Sequence, residues 1–533
     1  MREMMPEEAR VNGRQRSTGR SAADHGGPQT VSTNAPPGTP SRPKGRFALL
    51  VAVACAVIGS RLIVISALGS PCPLLDQWNG EADRLYAPYL KGALSFADLM
   101  APHNEHRIFV FRVLALIHLE LAGEWNTRLE MILGAITLTA TVTWLAALLM
   151  PLVAPQRRIL LACFVAFVFA FPIAYENALW GFQCQVYLAL FFGIAALVAF
   201  APAGPFSLRW FAGLAAAVLS CLSFATGVAT VLAAGGLVGL QLATNARKRS
   251  VRELAAVAVL ASVAVGVIMW ESSGANPMST PWTFLQGLLL FTGAIILAVI
   301  PLAWFCWHTL ARRPAVSERA WILVGIVGWV AVQVVMLAYG RGNLVAPRYM
   351  DIVLFVYPPA LVAVFAFADR ARAARFSRYV GPGAAIWVFT VVAAGAMLGY
   401  ASVLMAIEWS KSAADQAADV RSYIATGNVD DLRAKGGRGQ TVDLSYPLPQ
   451  LLAGILRDPE ERAILPSELR PPDADNAGAR NRMWLKGAPA GVTATAVRIL
   501  PWISPALLAL GVSLFFAVGA RRDSFDPHST CGG

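Results

Sequence analysis

The stretch "FALLVAVACAVIGSRLIVISAL", Phe47 to Leu68, decides how the rest of the chain is read. It is 22 residues long, and a mostly apolar helix of roughly 17–25 residues crosses the hydrocarbon core of a bilayer. Arg42, Lys44 and Arg46 stand directly before it, and basic residues beside a first span hold that flank in the cytoplasm. Residues 1–46 are rich in Arg, Gly, Ser, Thr and Pro, with almost no large apolar side chain. They are expected to form a disordered cytoplasmic tail, because burial cannot offset the entropy of ordering them. This tail has no short apolar core with a small-residue cleavage site, so Phe47–Leu68 is expected to be retained rather than cleaved.

The same pattern recurs along the chain. Apolar runs at 47–69, 128–153, 158–174, 180–201, 209–223, 226–243, 253–270, 283–307, 320–339, 350–368, 382–406 and 496–518 predict about twelve membrane helices. Hydrophobic residues make up 56% of the chain and charged ones 14%, with a mean hydropathy of +0.55, more apolar surface than a water-soluble domain can hide. Alternating the sides places Arg157–Arg158, Arg247–Lys248–Arg249, Arg312–Arg313, Arg370–Arg372–Arg375 and Arg521–Arg522 in the cytoplasm, together with both termini. The expected fold is all-α. A polytopic bundle covers 47–407 and includes a first outer loop at 70–127; a small extracytoplasmic loop domain covers 408–495, a last membrane helix 496–518 and a cytoplasmic tail 519–533. Ile108 to Leu121 is too short to span and carries Arg112, His118 and Glu120, so it is expected to lie along the membrane surface.

The formal charge of +12 sits in short clusters between apolar runs. It serves topology and forms no patch for nucleic acid. Seven cysteines are scattered without a CxxC pair, which argues against a disulfide framework or a zinc site.

Polar residues that do not serve topology gather on the outer side. They occur as "DQWNGE" (Asp76–Glu81), "HNEHR" (His103–Arg107), "YENALWGFQCQ" (Tyr175–Gln185), "SFATG" (Ser223–Gly227) and "GRGNLVAPRY" (Gly340–Tyr349). Ionisable groups at a membrane are costly unless paired or facing water, so their convergence from distant segments marks a candidate site. Asp76 has the chemistry of a general base toward a hydroxyl acceptor, with Trp78 as a sugar-stacking or interfacial aromatic; its plainer role is a helix N-cap near Asn79. Glu105 and Glu176 compete with Asp76 as the base. The HNEHR cluster leaves room for a divalent metal on His103, Glu105 and His106, although consecutive spacing does not place ligands on one helical face; otherwise Asn104 would cap the next helix. Arg341 and Arg348, beside Tyr349 in a Gly-rich turn, suit a phosphate or pyrophosphate group, or equally an anionic lipid headgroup. Arg107 would join them if the first loop folds over the bundle. Trp180 and Gln183 would line the site or anchor the aromatic belt.

With "DQW" after the first helix, "HNEHR" in the same loop, "WGFQ" before the fourth span, the Gly-Arg to Arg-Tyr turn and "LRDPEERAILPSELR" (Leu456–Arg470), the chain resembles a set of bacterial polytopic membrane proteins to which no activity is attached. More distantly, its layout is similar to the GT-C glycosyltransferases. Those enzymes carry an acidic motif in the first outer loop and take a sugar from a polyprenyl-phosphate carrier outside the cytoplasm. The resemblance implies a multi-pass protein of the bacterial inner membrane, a polyprenyl-phosphate sugar donor, and an envelope glycan, lipid or protein as acceptor. It implies Asp76 as the first-loop acid and Arg341 or Arg348 as the phosphate holder; Glu81, His103, Asn104, His106 and Arg107 are expected as substrate-binding neighbours from their place in the polar clusters of that loop. The family pattern has adjacent acidic residues, whereas Gln77 follows Asp76 and the next carboxylate is Glu81. A transporter or flippase, and a polymerase or ligase of lipid-linked glycan, are the competing expectations.

Overall fold

A computed structural model describes residues 43–104, 107–272, 279–371, 377–433 and 442–523; nearly all of these belong to one unit beginning at Lys44. Its regular structure is helical, with no strand among the described residues. Among the described residues nine helices are long and apolar enough to cross a bilayer: Gly45–Leu68, Thr127–Leu152, Gly181–Phe200, Ala225–Ala243, Val251–Trp270, Ala320–Arg341, Pro347–Ala371, Arg378–Thr426 and Leu500–Ala520. The chain is therefore a multi-pass membrane protein.

Three of the expected spans take another form. The run at 283–307 is two helices, Pro281–Ala294 and Ile296–Arg312, meeting at 82° around Ile295. Leu208–Cys221 has 14 residues and Arg158–Ala170 has 13, about 20 Å each at 1.5 Å per residue, against a core near 30 Å. Among the described residues the count by length is thus nine, or ten with the bent pair taken as one span, against the expected twelve or so.

The ending of Arg158–Ala170 shows how a helix can stop within a bundle. Phe171 is extended and Pro172 follows, which halts the helix and leaves its last carbonyls without intrahelical donors. Those acceptors need partners where no water is present. Ser60 Oγ donates to Ala170 O at 2.6 Å and Arg61 Nε donates to Phe169 O at 3.1 Å. Arg61 also reaches Asp351 Oδ1 at 3.3 Å, with side-chain exposures of 1% and 0%. Tyr187 Oη and Asn177 Nδ2 donate to Asp351 Oδ2 at 2.8 and 3.2 Å. A charge set in the middle of the run that opened the sequence reading is therefore a neutralised, hydrogen-bonded hub.

The Ser377–Thr426 helix has 50 residues, about 75 Å, and runs straight through the boundary expected at 407–408. Its first half faces outward, with Ile386, Phe389, Met397 and Tyr400 exposed. In its second half Ala406, Trp409, Ala413, Ala417, Val420 and Tyr423 are buried at three- and four-residue spacing, one helical face. That face joins a single core with Trp78, Leu85, Phe111 and Trp125 of the first outer loop, Trp180 and Phe182 of the 175–183 turn, and Leu452, Ile464 and Leu469 of the second outer segment. The two segments expected outside the membrane thus share one core.

Phe109–Ala122 belongs to that core, and its polar side chains meet protein rather than headgroups. Arg112 NH1 donates to the Asp98 and Leu99 carbonyls at 3.0 Å, closing the short Phe96–Met100 helix. Glu120 accepts from the backbone N–H groups of Trp484 and Leu485 at 3.0 and 2.6 Å.

Candidate functional site

Two features separate Asp76 from the buried carboxylates Glu81 and Glu130: its side chain is partly open, and its neighbour is under-bonded. Leu75, at φ +48°, turns the chain so that Asp76 precedes a wide π-type helix, Trp78–Tyr86. The Asp76 carbonyl accepts from Gly80 N at 2.8 Å, while its side chain is 43% exposed and places Oδ2 3.9 Å from His103 Nε2. His103 is 1% exposed, and neither ring nitrogen has a hydrogen-bond partner. Its ring sits edge-on to Phe182 at 5.2 Å and lies against Gly80, where a Cβ would come within 3.0 Å of Cε1. Gly80 is therefore the residue that lets imidazole and backbone approach. A buried imidazole with both nitrogens idle, beside a partly solvated carboxylate, is an incomplete constellation of the kind a ligand completes.

The neighbours read as site residues in the first loop mostly do something else. Trp78 is fully buried, edge-on to Trp125 at 5.4 Å, so it offers no face to a sugar. Glu81 is also fully buried. Its Oε2 accepts from Trp125 Nε1 at 3.1 Å, and Tyr86 Oη lies 3.1 Å from it and 3.2 Å from Glu130 Oε1. Gln77 Nε2 donates to Glu130 Oε2 at 2.8 Å, and His118 Nδ1 stands 3.1 Å from Glu130 Oε1. Burial pushes the Glu81 carboxyl up, with the hydrogen bonds from Glu130, Tyr86, Gln77 and Trp125 opposing it. Burial drives His118 down to about 4, so its imidazole is neutral. Two carboxyls this close hold a proton between them, which makes a structural clamp of Glu81 rather than a substrate ligand. Asn104 is exposed at φ +51° and does not cap the next helix, whose N-cap is Ile108. Glu105 and His106 lie outside the described residues. Among the described residues no group of three or more His, Cys, Asp or Glu side chains is placed to hold a metal ion.

The second cluster is the 175–183 turn against Pro347–Tyr349. Arg348 NH1 donates to Glu176 Oε2 at 2.7 Å, with side-chain exposures of 27% and 9%. Burial raises the Glu176 carboxyl, and the Arg348 charge only partly opposes this. Asn177 Nδ2 donates to the Arg348 carbonyl at 2.8 Å as well as to Asp351, tying this pair to the Arg61 hub. The Arg348 guanidinium stands 5.2 Å over the Tyr349 ring. Trp180 is 3% exposed, donates Nε1 to Leu74 O at 3.1 Å and stacks on Phe182, so it braces the turn rather than the aromatic belt. Gln183 is buried with Oε1 unpartnered.

One turn thus touches both halves of the site: Glu176 and Asn177 hold Arg348, and Phe182 packs on His103. Arg107 joins neither half. It donates to Met100 O at 2.9 Å and Trp270 O at 3.3 Å and lies 3.9 Å over the Trp270 ring. Arg341 ends a different helix, at a turn where Gly342 (φ +58°) presses on Gly287.

Sequence reasoning missed Arg61, Asp351 and Glu130. Each is a charged residue in or at the end of an apolar run, which is itself the signal that should single it out. No protein-family model, curated protein or solved structure matches the chain.

Proposed function

We propose that the protein is a membrane glycosyltransferase, GT-C-like in layout, that moves a sugar from a polyprenyl-phosphate carrier to an envelope acceptor on the extracytoplasmic side of the bacterial inner membrane. The observation that carries the reading is the Asp76–His103 corner: a half-open carboxylate beside a buried, unpartnered imidazole, against the core shared by the two segments expected outside the membrane. In this reading Asp76 takes the proton of the acceptor hydroxyl as its oxygen attacks the anomeric carbon. The bond from that carbon to the phosphate oxygen breaks with inversion, and Arg348 stabilises the charge on the departing polyprenyl phosphate.

Two apolar cavities support a lipid-borne donor. One of about 400 Å³ lies beside Ile173, Gly293, Leu354 and Tyr357, and one of about 660 Å³ beside Pro301, Trp304, Phe367 and Tyr379. Both follow the seam between Ile296–Arg312, Tyr357–Ala371 and Ser377–Thr426, and the first begins within a few residues of Glu176 and Arg348. A prenyl chain in that seam would bring its phosphate to Arg348, which would have to exchange Glu176 for it.

The test is transfer of a labelled sugar from polyprenyl-phosphate donors to envelope acceptors in proteoliposomes. Wild type is compared with Asp76→Asn, Glu105→Gln and Arg348→Ala at matched expression. Transfer lost in Asp76→Asn, with donor binding weakened only in Arg348→Ala, supports the assignment. A second reading, a transporter or flippase for a polar lipid, is favoured by the buried Arg61–Asp351 pair and the 82° break at Ile295. Labelled lipid moved across the bilayer, with no transfer from a broad donor panel, would establish that reading instead.

A further inference from the structure

A polar cavity of about 410 Å³ opens where Ser66, Thr127 and Leu500 come together, and it takes no part in the site described above. These residues mark the ends of three membrane-spanning helices, so the cavity stands at the level of lipid headgroups. Glu124, Arg128, Glu468 and Arg498 supply its charge, two of each sign. They are unequally satisfied. Glu124 is paired with Arg470, both largely buried. Arg128 reaches Glu468 only at 3.4 Å, with both side chains more than a third exposed. Arg498 is exposed and has no ion-pair partner among the described residues. What remains available is one free guanidinium beside one loosely held Arg–Glu pair, a dipolar rather than a purely cationic wall.

Below the cavity the same stretch of chain turns apolar. Ile499, Trp502 and Ile503 are 41%, 82% and 40% exposed, and an exposed Trp at the outer end of a span sits in the headgroup zone. The lining contains no aromatic ring. That disfavours a quaternary ammonium, which is recognised by aromatic faces, and leaves carboxylate and hydroxyl acceptors for a primary ammonium.

We propose that this cavity binds the headgroup of a zwitterionic phospholipid of the phosphoethanolamine class. Its phosphate lies on Arg498 and Arg128, its ammonium on Glu468, and its acyl chains run along Ile499, Trp502 and Ile503. This assignment is independent of the glycosyltransferase reading.

The test reconstitutes the full chain in nanodiscs of equal parts phosphatidylethanolamine, phosphatidylcholine and phosphatidylglycerol and measures retained lipid by native mass spectrometry. Wild type is expected to retain phosphatidylethanolamine about fivefold over phosphatidylcholine. The excess should vanish in Arg498→Gln with Glu468→Gln and persist in Arg433→Gln, a remote exposed control. Soluble phosphoethanolamine is expected to displace the retained lipid; failure to displace it overturns headgroup recognition. Preferential retention of phosphatidylglycerol, no preference at all, or a preference indifferent to the double variant overturns the proposal. All of the substituted side chains are exposed or partly exposed, so the variants keep the fold.

Discussion

Asp76 and Glu81 stand five positions apart in one short loop and have opposite fates. Asp76 is 43% exposed with a single loose neighbour at 3.9 Å; Glu81 is fully buried among Tyr86, Trp125 and Glu130. The wide helix Trp78–Tyr86 separates them by turning Trp78, Glu81, Leu85 and Tyr86 into the core while Asp76 stays at its open start. The contrast teaches that a carboxylate's use follows from how far it is enclosed. One buried among Tyr86, Trp125 and Glu130 holds structure, and a half-open one beside an idle imidazole is accessible to a ligand.

The largest effect should come from breaking the open member. Asp76→Asn is expected to cut transfer at least about 100-fold, as for loss of a general base, while stability shifts by less than about 0.5 kcal/mol, as for a surface change. Activity and equilibrium unfolding in mixed micelles, measured on the same preparation, check both; a large loss of stability would erase the distinction. Glu130→Leu attacks the closed member. It leaves Gln77 Nε2 without its acceptor and takes one partner from Tyr86 Oη, so destabilisation of about 1–3 kcal/mol is expected in the same unfolding experiment.

The comparison sharpens at Glu176, which lies between these extremes. Glu176→Gln releases Arg348 and is expected to raise donor affinity about two- to fivefold, the worth of a partly exposed ion pair. If transfer is abolished while affinity rises, Glu176 rather than Asp76 is the base.

The smallest effect is a pair of opposed pH slopes. Glu81 is raised from its ordinary 4.5 to about 7 in the folded state, so the folded protein binds more protons than the unfolded one between those values and stability falls as pH rises through them. His118 is lowered from 6.5 to about 4, so the unfolded state binds more protons there and stability rises with pH over that window. Glu81→Gln should therefore flatten the fall in stability between about pH 4.5 and 7 by removing one of the raised carboxyls. Thermal unfolding in detergent across that range reads the slope directly.

Much of the layout was legible. Apolar length located the membrane helices, and polar clusters at 76–81, 175–185 and 340–349 meet at one end through the Glu176–Arg348 and Trp180–Leu74 contacts. The hidden parts share a physical cause, since hydropathy averages over neighbours while burial is decided by partners far away. Arg61 and Asp351 are 290 positions apart, and neither alone announces the other. Trp78 and Trp180 read as interface anchors because tryptophan favours that zone, yet both were drawn inward by rings across the shared core. Where the long helix turns polar after Ile407, composition reported the exit from lipid and not an end of helix. Ala406, Trp409, Ala413 and Ala417 carried the helical period onward.

That unbroken Ser377–Thr426 rod gives the molecule a mechanical arm. At about 75 Å, a swing of about 5° about its inner end displaces its tip by roughly 6 Å. Membrane helices change tilt with bilayer thickness, and this one meets Trp180 through Trp409 midway along its outer half and donates from Tyr423 Oη to Ala453 O near its tip. A change in the tilt of this helix would therefore shift the roof above the site.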